Sequence, residues 1–345
     1  MTATKRRQGV VLFIVLFFTL LLSASIATFV KRATVDAILS RNRDAMARTE
    51  ALARGGIELA KAVLAQDRLV DLSSESGRLD SHMDAWAQAA NIPIEIGNGA
   101  RLRLRIEDSG SRFNLNSLFN IATEKAGAFA GDQTELFLLE FFEKVIDEMP
   151  VDKKALYDAR ALVENLIDYI DADDTQIGGG FEDDYYQGQS PPYRAANRPL
   201  LSVDEIGLVE GFDPALVKVV RPYVTVYPYV AGLGVNPNTA PPHILSLIYY
   251  NDGVDYRLAK EDDVRRIIEA RQDGQVFCEV EQQEGCVAIS DIFPNAPTIY
   301  PPLGFFSDTF SVRSEARFAN VERTVEAVID RSAPSQPVLL SWKVR

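Results

Sequence analysis

The chain has 345 residues, 47% of them hydrophobic and 25% charged, which is enough for two or three domains of ordinary globular composition. Its 36 Lys and Arg against 49 Asp and Glu leave a net charge of -13, which disfavours a nucleic-acid backbone as partner, because such binding needs clustered cations. Two His and two Cys leave little material for a His-based catalytic centre, a zinc site or a disulfide framework.

Val10 to Val30 carries no charged side chain and is broken only by Thr19, Ser23, Ser25 and Thr28. About 20 such residues cross a bilayer as a helix. Lys5, Arg6 and Arg7 precede the run, so the N-terminus stays in the cytoplasm and everything after about Lys31 is exported. A secretory signal peptide shares the basic start, but its apolar core spans about 7–15 residues and ends in a small-residue cleavage site. Ala24-Ser25-Ile26-Ala27 is a weak match to such a site. Beyond the run, Met46, Ala53, Ile57, Ala60 and Leu64 recur on one helical face, and no Pro occurs before Pro93. One helix from about Val10 to Leu64 is expected, with residues 10–30 in the membrane. Gly55-Gly56 is its weak point, at about 1 kcal/mol per Gly relative to Ala.

A polar stretch from Gln66 to Ser81 leads to Arg101–Glu107, whose strict alternation predicts a half-buried strand. Helices are expected over Gln133–Glu148, ended by Pro150, and over Leu156–Tyr169, Ser202–Val209, Ala240–Tyr249 and Glu261–Arg271. Strands return around Phe310–Phe318, Val321–Asp330 and Val338–Val344. The expected organisation is α+β: a small β part in two segments, 65–112 and 306–345, with an inserted helical domain over 113–305.

The second of these helices runs into an acidic loop, 168–186. Asp168, Asp171, Asp173 and Asp174 are followed by Gly178-Gly179-Gly180, then by Glu182, Asp183 and Asp184. So many neighbouring carboxylates repel unless something neutralises them. Calcium, a hard cation that takes 6–8 oxygen ligands, suits such a site. Asp171, Asp173 and Glu182 fall at positions 1, 3 and 12 of an EF-hand count, but Thr175 at position 5 and Gln176 at position 6 break that motif. On composition alone a solvated acidic loop is the slightly favoured reading. Asp168 and Asp171 as an acid/base pair is the catalytic reading. No nucleophile motif accompanies His82 or His243, so no enzyme activity is expected. Cys278 and Cys286, close in sequence in an exported domain, are expected to form a disulfide.

Several segments carry a resemblance. Lys5-Arg6-Arg7-Gln8-Gly9 followed by Val10-Val11-Leu12-Phe13 resembles a type IV prepilin leader. The resemblance implies that prepilin peptidase cuts between Gly9 and Val10, removing 1–9, with methylation of the mature chain. Ile14 then stands fifth in that chain, where most pilins and pseudopilins have Glu. Its place, together with Leu166–Asp173, Gly180–Tyr185, Arg194–Glu205, Asn114-Leu-Asn116 and Val235–Ala240, is similar to the minor pseudopilin K family of type II secretion systems. That family implies a type IV pilin-like fold with a large all-α domain inserted, and calcium in the inserted domain. The implied ligands are Asp171, Asp173, Glu182 and Asp183, with Asp168, Asp174 and Asp184 in reserve. Phe181 stands where the family often has a small residue. The resemblance also implies an inner-membrane, single-pass protein at the tip of a periplasmic pseudopilus, which initiates or caps assembly for protein export. Its implied partners are the I- and J-class minor pseudopilins, the major pseudopilin, prepilin peptidase and the inner-membrane assembly platform.

One alternative comes from another class. Val235–Ala240 and the two helices after it, with Arg265, Arg266 and Arg271, also resemble a helix-hairpin-helix unit. A membrane-anchored periplasmic DNA- or ligand-binding protein would use such a unit. Asp252, Asp255, Glu261, Asp262 and Asp263 around the hairpin argue against phosphate, so no nucleic acid is expected.

Overall fold

The computed structural model describes residues 6–73, 78–89, 93–97, 99–119, 133–177, 179–229, 234–278, 286–294, 296, 298–333 and 335–345. Residues 1–5 of the expected leader and Gly178 of the glycine run lie outside them. A single helix, α1 (Arg6–Ser73), runs 68 residues, about 100 Å at 1.5 Å per residue. It extends beyond the expected Val10–Leu64 at both ends. Its first part is exposed and is long and apolar enough to cross a membrane. The hydroxyls there donate to carbonyls of the preceding turn, Ser23 to Thr19 and Thr28 to Ala24, which satisfies them without water.

The second part of α1 buries Ala53, Ile57, Ala60 and Leu64 against an antiparallel five-stranded sheet. Its strands are β1 (Ile94–Glu95), β2 (Arg101–Asp108), β3 (Thr309–Phe318), β4 (Val321–Asp330) and β5 (Val338–Val344), hydrogen-bonded in that order. The period of two puts Leu102, Leu104 and Ile106 of β2 inward and Arg101, Arg103 and Arg105 outward. Inward residues of β3, among them Phe310, Val312 and Ala316, complete the layer. Gly56 is where helix meets sheet. A Cβ there would stand 2.2 Å from Ser314 Oγ and 3.0 Å from the Leu102 and Leu104 methyls, whereas Gly55 has nothing within 4 Å. The glycine that weakens the helix locally is the one that lets it lie on the strands.

The chain leaves the sheet at the end of β2 and returns at the start of β3. Between them lie α2 (Gln133–Asp147), α3 (Ala159–Ile170), α4 (Pro214–Val220) and α5 (Glu261–Gln272), around a second core rich in Phe113, Phe137, Phe141 and Phe142. The α+β arrangement is the one expected, with local departures. Helix α3 starts at Ala159 rather than Leu156, because Asp158 caps it, accepting from the amides of Arg160 and Ala161. Val203–Leu208 is a 3-10 helix rather than an α-helix, followed by Gly211 at φ 86°. Ala240–Tyr249 keeps only one helical turn, Pro242–Leu245. Tyr249–Asn251 is a strand paired with Tyr256–Leu258 and with Ile299–Tyr300. Aromatic residues with strand partners on both sides override the helical periodicity there, so the helix-hairpin-helix is not formed.

Two Asn-x-Asn segments clasp the helical part together. In each, the first Asn accepts from the amide of the second, Asn116 N to Asn114 Oδ1 and Asn238 N to Asn236 Oδ1. The second Asn then exchanges two bonds with one distant residue, Asn116 with Leu200 and Asn238 with Phe277. Asn236 Nδ2 reaches the Asp80 carbonyl and Asp108 Oδ2, and the Thr239 hydroxyl donates to Asp108 Oδ2 at 2.6 Å, tying the helical part to the end of β2.

Candidate metal centre

Helix α3 turns Leu162, Leu166, Ile167 and Ile170 into the core, and the same rotation carries Asp168 inward on its last turn. Asp171 follows in extended conformation at the C-cap, so the chain leaves the helix axis there. A bridge between Thr175 and Phe181 closes the loop, with Gly179 and Gly180 at φ 96° and 137° making its turn. Glu182, the next residue, is the N-cap of the short helix Asp183–Gln187 and returns the chain beside the end of α3. Asp168, Asp171 and Glu182 are 3%, 6% and 2% exposed, and one carboxylate oxygen from each lies within 4.8 Å of the others.

The oxygens of this cluster are poorly satisfied by the protein. Asp168 accepts from the amide of Ile177 at 3.0 Å. Asp171 Oδ1 and both Glu182 oxygens are buried without a hydrogen-bond partner. Asn197 Oδ1 is another buried oxygen without a partner, and its Nδ2 donates to the Asp173 carbonyl of the same loop. Burial, reinforced by the neighbouring carboxylates, pushes Glu182 up to about 8, Asp171 to about 7 and Asp168 to about 6. Carboxylates so placed hold either protons or a cation. An all-oxygen donor set without His or Cys fits a hard ion such as calcium.

The remaining expected ligands are placed differently. Asp173 is partly buried at the rim, where Oδ1 accepts from the amide of Thr175 at 2.8 Å. Asp183 opens the short helix Asp183–Gln187 and has partners of its own, accepting from the amide of Ala195 at 3.1 Å and lying 3.6 Å from Arg194 Nε. Asp174 and Asp184 are exposed. Asp168, from the reserve, stands inside the cluster. Asn197, with a buried unpartnered oxygen and a backbone φ of 44°, was not among the expected ligands, although it lies in the Arg194–Glu205 segment.

A second acidic group lies at the far end of α1, where oxygens of Asp67, Asp80 and Asp84 also come within 4.8 Å of one another. It contains its own cation. Arg331 is fully buried, with Nη1 2.5 Å from Asp67 and Nη2 2.5 Å from Asp80, and its guanidinium stacks 4.5 Å from the Phe310 ring centroid. Burial pulls the Arg331 pKa down, but the charges of Asp80 and Asp67 outweigh it, so it sits above the ordinary arginine value. Elsewhere, Cys278 and Cys286 are joined by a disulfide across the parallel pair Val276–Cys278 and Cys286–Ala288, with Cα atoms 5.9 Å apart.

Comparison with known proteins places these features in a family. The family described as type II secretion system (T2SS), protein K matches residues 111–229, the segment that holds the acidic cluster. The chain is similar to the type II secretion system protein K of Pseudomonas aeruginosa, 30% identical over 68% of this chain and 66% of that protein. It is equally similar to that of Aeromonas hydrophila, 30% identical over 74% of this chain and 73% of the relative. Its fold is like that in the crystal structure of the GspK-GspI-GspJ complex from enterotoxigenic Escherichia coli. There the TM-score is 0.61 at 20% identity, covering 89% of this chain and 99% of the other.

Proposed function

The chain belongs to the type II secretion system protein K family, and from that premise we propose that it works as a minor pseudopilin at the tip of a periplasmic pseudopilus. Prepilin peptidase would cut between Gly9 and Val10, leaving the apolar arm of α1 in the inner membrane with the bulk of the chain in the periplasm. That arm would pack laterally against helices of the major pseudopilin as the assembly platform extrudes them. The relative of known structure was solved with GspI and GspJ, and the I- and J-class proteins are the partners proposed here.

One observation carries the tip reading. Arg48 lies over the Phe318 ring at the end of β3, while Arg68 and Asp67 meet Asp308 and Arg331 beside its start. Strand β3 therefore runs antiparallel to α1, and the helical part, which enters the sheet at the start of β3, is attached at the end of the sheet far from the apolar arm, where a further subunit would have to stack. Ile14, lacking a carboxylate, offers no charge to such a subunit. This supports a subunit that starts or caps the assembly.

Calcium belongs to the same proposal. Asp168, Asp171 and Glu182 would hold it, with Asp173 and Asn197 in reach, and the bound ion would supply charge neutralisation that fixes the loop. The test is co-elution of the detergent-solubilised chain with its I- and J-class partners. A stable complex in calcium is expected; failure of the folded chain to join them would remove the tip reading.

A further inference from the structure

Strand β2 is covered unequally. On one side β3 pairs with it from Arg101 to Asp108; on the other, β1 reaches only Arg101 and Leu102. From Arg103 onward, alternate peptide groups face that second side without a strand partner among the described residues. The open edge does not lie on a bare surface. A cleft of about 770 Å³ follows it, walled by Arg103, Arg105 and Ile106 of the strand, by Trp86 of the one-turn helix Ala85–Ala89, and by Pro241 and His243 of the helical part.

The chemistry of this cleft runs against that of the whole chain, whose net charge is -13. Arg103 and Arg105 keep 67% and 70% of their side chains exposed. Arg105 and Arg112, which also lines the cleft, share a single carboxylate, Glu107, at 2.6 and 2.8 Å. The other acid of the wall, Asp108, is buried and already accepts from Gly110, Asn236 and Thr239. Trp86 is 2% exposed, and its Nε1 is a buried donor without an acceptor. A strand edge and three guanidinium groups, Arg103 lying 3.9 Å from Glu315 and the other two sharing Glu107, thus converge on one slot with Trp86 in its wall.

The geometry points to a docking slot for an extended acidic segment of a partner protein, added as a further strand along the free edge of β2. Its carboxylates meet Arg103, Arg105 and Arg112, and its peptide groups pair with the free edge of β2. A protein segment fits better than a polyanionic chain. The apolar walls Ile106 and Pro241 and the embedded Glu107 repel a uniform polyanion but accept alternating side chains, and only a peptide can pair with the strand edge.

The test uses the full chain in detergent, with Trp342→Phe leaving Trp86 as the reporter of the two tryptophans. The probes are terminally blocked nine-residue peptides that alternate Glu and Thr, or Lys and Thr. The Glu peptide is expected to change Trp86 fluorescence saturably and to protect the amides between Leu104 and Ile106 from hydrogen exchange. R105E/R112E should weaken it by at least about tenfold. E107Q, which frees both guanidinium groups, should tighten it, so a loss caused by misfolding is told apart from a loss of charge. The proposal is overturned by an equal response to the Lys peptide, by no saturable response to the Glu peptide, or by the same protection from dextran sulfate. Protection that appears with rising protein concentration and no peptide overturns it in favour of a second copy of the chain.

Discussion

The two acidic clusters are alike in composition and opposite in design. Each gathers three carboxylates within 4.8 Å, and each lies at the C-terminal end of a helix, where the backbone dipole adds to the repulsion. At the end of α1 the chain supplies the neutralising charge itself, by bringing Arg331 to Asp67 across a separation of 264 residues. At the end of α3 it supplies none: among the described residues no Lys or Arg pairs with Asp168, Asp171 or Glu182, and three of their oxygens have no partner. A buried acidic group can be closed permanently from within, or left for an ion in solution to close. The first choice makes a joint that is always made. The second, under the calcium proposal, would make local order conditional on the ion.

The largest effect that would test this distinction comes from Arg331→Met. It leaves Asp67 and Asp80 buried without their cation, which should cost about 3–5 kcal/mol in denaturant unfolding. Calcium should not restore it, and full rescue by calcium would erase the difference between the clusters. Next is removal of calcium from the wild-type protein. At a free concentration about 100-fold above its dissociation constant, the ion should contribute about 2.7 kcal/mol, lost on chelation. Glu182→Gln or Asp171→Asn should abolish that increment, so a chelator-sensitive melting temperature in both variants would count against the assignment.

A smaller effect is expected from pH. The carboxyls of Glu182 and Asp171 titrate near 8 and 7 in the folded, metal-free chain, above their unfolded values. The folded state therefore binds more protons than the unfolded state between the two sets of values, and stability falls as pH rises through that window. Comparing wild type with Glu182→Gln isolates this cluster, because burial also pushes up Asp71, in the last turn of α1, to about 6 and Asp80 to about 8. Without calcium the wild-type slope should be the steeper; with saturating calcium, which displaces the protons, the two should converge. The smallest effect belongs to Asp183→Asn. Its carboxylate faces Arg194 across a largely exposed pair, so the cost should stay within about 0.5 kcal/mol and the calcium response should not change.

What could be read from the sequence was local. Val10–Val30, the alternation of β2, and the strands β3 to β5 follow from periodicity within a few residues. The spacing that singled out Asp171 and Glu182 lies within one loop. What could not be read depended on distant partners. Asp183 is engaged by Arg194 and Ala195, which come back to it, and Arg331 meets Asp80 across a separation of 251 residues. Tyr249–Asn251 became a strand because Ile299–Tyr300 lies alongside. Gly55-Gly56 showed only its helix-weakening cost, because the Ser314 side chain that makes Gly56 necessary comes from β3, more than 250 residues later.

That contact at Gly56 has a mechanical consequence. With no side chain between them, helix and sheet pack directly from about Ala45 to Leu64, and the part of α1 that projects beyond the sheet, Val10 to Asp44, is an arm about 50 Å long. A tilt of the packed part by about 5° swings the far end of such an arm by about 4 Å. Neighbours that grip the arm therefore steer everything the sheet carries, and a force applied to the helical part arrives at the arm without slack.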